Sequence, residues 1–517
     1  ERRRVASARF PGGGAMAVVE GYFSAAALEG TTIHDGCVLR SAGEGQGLGL
    51  EATKWFSKGE EVWRERPVLF QQHFYSAATA PSCLNCGRLL GNLGEVLGWA
   101  LGARGKSLDA YPDAAESALL GSENLQLPRP VSCPHCRETR FCSDECRDVQ
   151  LAGGHHRILC AELPPERRRA WLRFREHARR QHETFILAAF AIAQIMCDVL
   201  YGGDRLPEAI KRICCYHSGP WQELPPPDVS DRPKRAAARL RRLEASLGLL
   251  RAALGAPADF AELLELDFYS RLVGMLDLTT VDISRKHCFE DGLQKALRSA
   301  SADVNTDLRH IAAEWWIFQE RAQDDVSGSS SGDDGPDLSR EQCLLPPFEG
   351  AALSPSVALT NHSCFPNLDV ACQGTSELVA TARRDIAPGQ QLLMTYGASG
   401  ALGARQAQLW KEYGFHCLCV RCRGEACVEV LEGRCEPETA APRTWLEGYA
   451  AAHEMSAGEA ASSVLQGMPP GLFEEPTAPP TMLAASVAAS SAMEPAAHPT
   501  MLAASVAAPS AREAQGG

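Results

Sequence analysis

Hydrophobic and polar positions divide the chain into a strand-rich beginning, a helix-rich middle and a second strand-rich part. Between residues 33 and 69, glycine turns alternate with short apolar runs, a pattern typical of half-buried strands. Residues 165–201 carry an apolar face at helical spacing that ends in a fully apolar segment, which predicts one long helix with a buried end. Further helices are predicted at Pro233–Leu254, Phe260–Leu278 and Leu308–Arg321.

Strand character returns in the later part of the chain, where short apolar runs are again separated by turn residues. Ala387-Pro388-Gly389 is the predicted turn between two of these runs. Segregated helices and strands indicate the α+β class. The predicted strands are Leu353–Thr360, Leu378–Arg383 and Gln391–Tyr396.

Three segments have compositions typical of disorder. Residues 1–29 begin with a basic, glycine-rich stretch, residues 322–345 contain an acidic Gly/Ser run, and residues 426–517 are rich in Ala, Pro and Ser. Within the last segment the decapeptide at 480–489 recurs identically at 499–508. Two copies cannot build a solenoid, so we interpret them as a duplication within a disordered tail.

Charge and hydropathy narrow the classes of partner. The net charge of −13 argues against sequence-specific nucleic-acid binding and suits a basic protein substrate better. Local basic clusters at 167–169 and 234–242 are expected to be solvated helix faces. The longest apolar run, 185–196, is too short to span a bilayer, and no signal-peptide pattern appears, so no membrane partner is expected.

Twenty cysteines suggest either a disulfide framework or metal sites. For an intracellular chain, Cys-x-x-Cys pairs favour zinc. Seven cysteines and one histidine in the first cluster suffice for two four-ligand structural sites. His155 adjoins the histidine and is an alternative ligand, whereas His135 is expected to be a bystander. The cluster consists of Cys83, Cys86, Cys133, Cys136, Cys142, Cys146, His156 and Cys160.

A second cysteine cluster near residue 420 provides only three ligands at short spacing. A structural zinc ion needs a fourth ligand. Cys364 is the best candidate if the two segments meet in space, with Cys427 and Cys435 as rivals. Cys197, Cys214 and Cys215 are expected to be ordinary buried thiols. The three clustered ligands are Cys417, Cys419 and Cys422.

The segment Asn361-His362-Ser363-Cys364-Phe365-Pro366-Asn367 is followed by Tyr396 and then by Tyr413-x-Phe415-x-Cys417-x-Cys419-x2-Cys422. This order resembles the SET domain and post-SET segment of lysine methyltransferases. Gly47-Leu48-Gly49 before an inserted cysteine-rich finger resembles the SET and MYND subgroup, and most of all the plant trithorax-related histone-lysine methyltransferases. The resemblance covers roughly residues 30–425.

The resemblance implies a β-rich SET domain, residues 30–75 and 346–400, split by a MYND finger, 83–160, and a helical insert, 165–321. A post-SET segment, 401–425, completes it. About three structural zinc ions are implied, two of them in interleaved finger sites. The implied finger ligand sets are Cys83, Cys86, Cys142 and Cys146 for one ion, and Cys133, Cys136, His156 and Cys160 for the other.

The chemistry implied is methyl transfer from S-adenosylmethionine to lysine, an in-line displacement in which the protein must hold donor and acceptor within about 3–3.5 Å. No catalytic metal is needed. By resemblance, Tyr396 and Tyr413 are the catalytic residues, with Tyr413 lining the lysine channel. The residues implied for cofactor binding are Gly47, Gly49, Asn361, His362, Tyr396 and Phe415.

The same resemblance also implies a substrate and a binding partner. The expected substrate is a histone tail in the nucleus, with a non-histone protein in the cytoplasm as the alternative. The MYND finger is expected to bind a proline-rich peptide, and a weakly active SET scaffold that serves this interaction is a further alternative.

This sequence departs from the family pattern at two places. Gln390-Gln391 stands where the family commonly carries acidic residues, and Thr279-Thr280 stands where it commonly has Asn.

Overall fold

A computed structural model supplies the architecture, and all the residues it describes belong to one compact unit that extends to Ala484. The residues described are 22–24, 28–43, 47–115, 127–161, 163–224, 232–255, 257–298, 301–326, 343–372, 374–434, 439–469 and 472.

The described strands form small sheets rather than one large one, with orders β1-β2-β3, β11-β12-β4, β5-β9-β8, β10-β13 and β6-β7. Only β10 and β13 are paired in parallel among them. The strands are β1 Thr32–His34, β2 Cys37–Ser41, β3 Leu48–Ala52, β4 Glu61–Glu65, β5 Leu69–Gln72, β6 Val131–Ser132, β7 Arg140–Phe141, β8 Val281–Arg285, β9 Phe348–Leu353, β10 Asn361–His362, β11 Leu368–Cys372, β12 Leu378–Ala382 and β13 Leu393–Met394.

The described α-helices lie mainly in the middle of the chain and after residue 400. They are α1 Phe74–Thr79, α2 Leu93–Gly102, α3 Asp144–Gly153, α4 Pro165–Gln181, α5 Thr184–Tyr201, α6 Leu206–Cys214, α7 Arg232–Leu254, α8 Leu266–Thr279, α9 Glu290–Leu297, α10 Ala302–Val326, α11 Pro355–Ala358, α12 Leu402–Tyr413, α13 Val420–Leu431, α14 Ala440–Ala452 and α15 Ala457–Gln466.

Mixed helix and strand content confirms the predicted α+β class. One large core joins the strands of both SET segments to α5 and α8, so the helical insert and the sheets share their apolar contacts. By length and composition α5 is apolar enough to cross a membrane, with a mean hydropathy of 1.9 over 18 residues. Since 67% of that window is buried inside the protein, α5 has the burial expected of a core helix.

The predicted helix over 165–201 is wrong as a single element, because the chain breaks at His182 and Glu183 between α4 and α5. His182 adopts an extended conformation, with φ −171°. The Glu183 carboxylate lies 2.8 Å from Nδ1 of His73 and accepts a hydrogen bond from the backbone N–H of Phe74. Long-range contacts therefore replace a helical turn that the local periodicity favours.

The predicted strand over Leu353–Thr360 is also wrong beyond its first residue. β9 ends at Leu353, and Pro355 starts the short helix α11. Proline fits the first helical turn because its missing N–H has no partner there in any case. Thr360 then donates through Oγ1 to the carbonyl of Ser356, four residues earlier.

Parts of the segments predicted as disordered are ordered where the structure describes them. Tyr22 and Phe23 are buried in the main core, with 7% and 8% exposure, although they fall within residues 1–29. In the tail, α14 and α15 pack on Cys427 at the end of α13, so the proposed boundary at 425 is wrong. Cys427 is therefore buried among apolar side chains. Cys435 lies outside the described residues, as do 327–342 and the repeated decapeptides.

Candidate active site

The motif segment after α11 is held against β13 by backbone and side-chain hydrogen bonds. Asn361 and His362 pair in parallel with Leu393 and Met394. Asn367 donates from Nδ2 to the carbonyl of Gln391 at 2.9 Å and accepts from the N–H of Leu393 at 2.7 Å. These bonds fasten 361–367 to the strand that leads directly into Tyr396.

Gly49 on β3 lets two polar side chains pack directly against its backbone. A Cβ atom at Gly49 would stand 2.3 Å from Nε2 of Gln391 and 2.8 Å from Nδ2 of Asn361, so a larger residue would clash with both. Asn361 donates from Nδ2 to the carbonyl of Leu48 at 3.2 Å. Nε2 of Gln391 is buried without a hydrogen-bond partner among the described residues. Because an unpaired buried N–H is costly, this amide is suited to a ligand that carries hydrogen-bond acceptors.

Four rings gather at the end of β13. The centroid of Tyr396 lies 5.0 Å from that of Tyr413 and 5.2 Å from that of His362. Phe415 stands edge-on to Tyr396 at 6.5 Å and lies 6.2 Å from Tyr413. The predicted catalytic and adenine-facing aromatics are thus brought together into one wall. Gly47, which has φ +68° and open space around it, lies at the start of β3.

The hydroxyl of Tyr396 is oriented and neutral. It donates to the carbonyl of Thr360 at 2.9 Å. Burial raises the pKa of Tyr396 to about 12 and also raises the pKa of Tyr413. Both phenols are therefore protonated near neutral pH, and neither is a base.

Gly414 reverses the chain between Tyr413 and Phe415. It caps α12 in the left-handed conformation, with φ 75°, and its N–H bonds to the carbonyls of Leu409 and Trp410. Glycine adopts this conformation without steric penalty. The reversal places the rings on either side of it 6.2 Å apart and brings the following cysteines beneath them.

The post-SET cluster consists of Cys364, Cys417, Cys419 and Cys422, whose sulfur atoms all lie within 4.8 Å of one another. The Sγ atom of Cys364 lies 3.9 Å from that of Cys417 and 3.6 Å from that of Cys422. A disulfide needs about 2.05 Å. Tetrahedral zinc with bonds of about 2.3 Å places its ligand sulfurs roughly 3.8 Å apart, so these cysteines fit one ion.

Two buried polar side chains of α12, which the sequence motifs do not indicate, support this cluster. Gln406 clamps the backbone of Cys417, donating to its carbonyl at 2.8 Å and accepting from its N–H at 3.1 Å. Arg405, only 1% exposed, donates to Sγ of Cys422 at 3.7 Å and to Glu425 at 2.6 Å. Its positive charge offsets the negative charge of the clustered thiolates.

His362 links the post-SET cluster to Tyr396. Its Nδ1 accepts the backbone N–H of Tyr396 at 3.0 Å, so the ring proton resides on Nε2. Nε2 lies 3.3 Å from Sγ of Cys364. Hydrogen bonds from Cys417 and Cys419 lower the pKa of Cys364, which favours a thiolate acceptor. The ring therefore holds Tyr396 and a candidate zinc ligand together, a role that the motif alone does not reveal.

The finger cysteines form two further groups, each with four ligand atoms within 4.8 Å. Sγ–Sγ distances of 3.5 to 3.7 Å again match a shared ion rather than disulfides. The grouping has the interleaved form that the resemblance implies, with His156 rather than His155 or His135 among the ligands. The two groups are Cys83, Cys86, Cys142, Cys146 and Cys133, Cys136, His156, Cys160.

The described part of the insertion between the first two cysteine pairs of the finger contains a helix. Asn92 and Glu95 form a reciprocal capping box that starts α2. The apolar face of α2 packs with Leu308 and Ile311 of α10. The insertion therefore attaches the finger to the helical part of the molecule.

The two places where the sequence departs from the family pattern, Gln390-Gln391 and Thr279-Thr280, lie in different structural settings. Gln391 packs against Gly49 beside Asn361, as described above. Thr279 and Thr280 donate their hydroxyls to the carbonyls of Met275 and Leu276, both at 2.7 Å, and so close the last turn of α8.

Comparison with known proteins places this geometry in a family. The SET domain model matches residues 47–397. Over 445 residues the chain is 22% identical to Histone-lysine N-methyltransferase ATXR2 of Arabidopsis thaliana, covering 73% of this chain and 88% of the relative. It is 25% identical over 402 residues to Protein-lysine N-trimethyltransferase SMYD5 of Mus musculus, covering 74% and 85%.

A shorter region is more similar to a human relative, with 39% identity over 75 residues to Histone-lysine N-methyltransferase SMYD3 of Homo sapiens, which is 14% of this chain and 17% of that protein. The SET match covers more than half of the chain. The protein therefore belongs to the SET domain family, and its predicted kinship with the methyltransferases of the SET and MYND type is confirmed.

Proposed function

We propose that this protein methylates lysine side chains of histone tails in the nucleus. The enzyme is an S-adenosylmethionine-dependent protein-lysine N-methyltransferase, as the sequence predicts. The observation that carries the proposal is the wall formed by Tyr396, Tyr413 and Phe415, which contacts His362 of the Asn361–Asn367 motif.

The polar and aromatic side chains of this site have the chemistry to bind the methyl donor. When bound, S-adenosylmethionine supplies an electrophilic methyl group on a sulfonium. The amides of Asn361 and Gln391, which pack against Gly49, would bind its polar groups. Phe415 offers an aromatic face to the adenine. Tyr396 and Tyr413 would exclude water and direct the amine toward the methyl group.

A basic peptide substrate agrees with the charges near the wall. After burial, which is the main cause, the carboxylates of Glu412, Asp282 and Asp277 contribute to the raised pKa of Tyr413. A negative potential that disfavours a phenolate attracts a basic peptide, whose target lysine must release its proton to water before the neutral amine attacks the methyl group. Two relatives are named as histone-lysine methyltransferases, which supports histones as the substrate.

The proposal is tested by incubating the zinc-loaded protein with labelled S-adenosylmethionine and core histones. Tyr396→Phe removes only the hydroxyl that bonds to Thr360, so we expect methyl transfer to fall by about tenfold to a hundredfold with little change in stability. Tyr449→Phe, on α14 away from the wall, is the matched control and should keep full activity. Equal labelling by Tyr396→Phe and the unchanged protein would contradict the assignment of Tyr396.

The same assay separates the alternatives. Labelling of extract proteins but not of histones would favour a non-histone substrate in the cytoplasm. Absence of labelling in histones and extract alike would favour a weakly active SET scaffold. In that case titration of the finger with a proline-rich peptide would become the decisive measurement, since aromatic surfaces commonly bind such peptides.

A further inference from the structure

A cavity of about 530 Å³ lies where the finger meets the first SET segment and the helices α4 and α5. It is separate from the aromatic wall of the candidate active site, since none of Tyr396, Tyr413 and Phe415 lines it. Its volume falls in the range of about 300–1,000 Å³ that is typical of small-molecule sites. We call it the finger cavity.

Most of the walls of the finger cavity are aromatic or aliphatic. Phe74 and Ala78 come from α1, Trp99 from α2, Trp171 from α4 and Phe190 from α5. The ring of Trp171 stacks on Phe174 at 5.3 Å, which fixes its orientation. Rigid, flat walls of this kind favour a ligand with a planar apolar body.

Positive charge dominates the polar part of the finger cavity. Arg140, Arg168 and Arg175 line it, and Glu138 is the acidic residue among its lining residues. Arg175 reaches Glu138 at 3.3 Å, but both side chains are partly exposed, at 40% and 62%. Three guanidinium groups face one carboxylate, and the candidate zinc group that contributes Cys136, His156 and Cys160 to the lining adds about one negative charge when its ion is bound. A positive excess remains in a protein of net charge −13.

One buried polar atom at the finger cavity has no partner. His155 lines the cavity, is 6% exposed and stacks on Phe190 at 4.1 Å between ring centroids. Its Nε2 is buried without a hydrogen bond among the described residues. His156, not His155, belongs to the candidate zinc group, so no metal ion accounts for this unpaired nitrogen.

We propose that the finger cavity binds a small organic anion with a flat apolar body and one carboxylate. The body lies between Trp171 and Phe190, the carboxylate pairs with Arg175, and Nε2 of His155 hydrogen-bonds to a polar substituent. Guanidinium and carboxylate form strong charge-assisted pairs because their geometries match. Such a ligand would bridge the finger and the SET segment, and the proposal is independent of the methylated substrate.

The test is calorimetric titration of the full-length, zinc-loaded protein with 2-naphthoate, and with 2-naphthalenemethanol as the neutral probe of the same shape. We expect 2-naphthoate to bind with a dissociation constant below about 1 mM. The neutral probe should bind at least about tenfold more weakly. Equal affinity for both probes, or no saturable binding of 2-naphthoate, would overturn the proposal.

Variants locate the binding. Ala78→Trp fills the finger cavity from an exposed position and should weaken 2-naphthoate binding by at least about tenfold. Arg175→Gln should weaken it by roughly threefold to tenfold, whereas Arg173→Gln, on the exposed face of α4 outside the cavity, should leave it unchanged.

Zinc content and histone methylation of each variant report on folding. If Ala78→Trp fails to fold, the comparison of Arg175→Gln with Arg173→Gln still tests whether 2-naphthoate binds in the finger cavity. Unchanged affinity in Arg175→Gln would overturn the proposal. The proposal would also be overturned if, in the same calorimeter, the protein bound a proline-rich peptide but not 2-naphthoate.

Discussion

The post-SET cluster and the two finger clusters present similar ligand geometry but hold different structures together. In the post-SET cluster, Cys364 meets cysteines more than fifty residues later, and His362 connects it to Tyr396. The finger clusters lie against Leu90, Phe141 and Leu151, with no residue of the aromatic wall among their contacts. We therefore expect a zinc ion at the post-SET cluster to affect catalysis more than one in the finger, because His362 connects its ligand Cys364 to Tyr396.

The largest expected effect is that of Cys364→Ser. Loss of this ligand should release one of about three zinc ions and free the segment that carries Tyr413 and Phe415. We expect methyl transfer to fall by at least about a hundredfold, because small displacements of reacting groups are costly. Metal analysis and the histone assay measure the two effects.

The control for Cys364→Ser is Cys288→Ser, which makes the same chemical change at an exposed cysteine outside all three clusters. It should keep its zinc and its activity. If Cys364→Ser lost its zinc but kept near-normal activity, the prediction would be wrong. The post-SET cluster would then be no more important to catalysis than the finger.

Arg405→Met should have an intermediate effect. The variant removes a fully buried cation that contacts Cys422 and Glu425, which leaves the thiolates without their nearest positive charge. Breaking such a buried pair costs about 3–5 kcal/mol. We expect a comparable loss in the free energy of unfolding, release of the post-SET zinc at lower chelator concentration, and methyl transfer reduced by roughly tenfold.

Arg421→Met is the matched change for Arg405→Met. Arg421 pairs with the same Glu425 at 2.7 Å, but no contact to a sulfur is recorded for it among the described residues. The Arg421→Met variant should lose less than about 1 kcal/mol in the free energy of unfolding and keep its zinc. Similar chelator sensitivity of both variants would show that the role of Arg405 lies in Glu425 rather than in the thiolates.

Cys142→Ser should have the smallest effect on catalysis. It removes a ligand from one finger cluster, so zinc content should drop by about one ion and the finger should melt at a lower temperature. Methyl transfer to histones should stay within about threefold of the unchanged protein, since no bond joins this cluster to Tyr396. A loss as large as that of Cys364→Ser would show that the finger, too, supports the active site.

Local sequence patterns predict much of the fold and the site residues. Cys-x-x-Cys spacing indicates zinc because two sulfurs can reach one ion from a single tight turn. Helical periodicity locates α7, α8 and α10 to within several residues of their observed ends. Periodicity fails at His182 and Glu183, where the helix is interrupted although no glycine or proline is present. The interruption depends instead on the bonds of Glu183 to His73 and Phe74.

Composition is less reliable than periodicity in this chain. The Ala-, Pro- and Ser-rich sequence after residue 425 suggests a disordered tail, yet Leu446 and Ala450 of α14 pack against Cys427. Alanine has the highest helix propensity, so a chain with few large apolar residues still forms helices where a neighbouring surface covers them. That surface is not apparent from the composition.

By itself, the sequence determined the ligand types, their short spacings, and the Asn361–Asn367 motif with the tyrosine and cysteines that follow it. Only the tertiary structure decided that Cys364 meets Cys417 and Cys422, that His362 spans from Cys364 to Tyr396, and that Arg405 faces the sulfurs. The physical reason is distance along the chain. Backbone geometry limits the contacts of neighbouring residues, whereas contacts between distant segments depend on how the whole core packs.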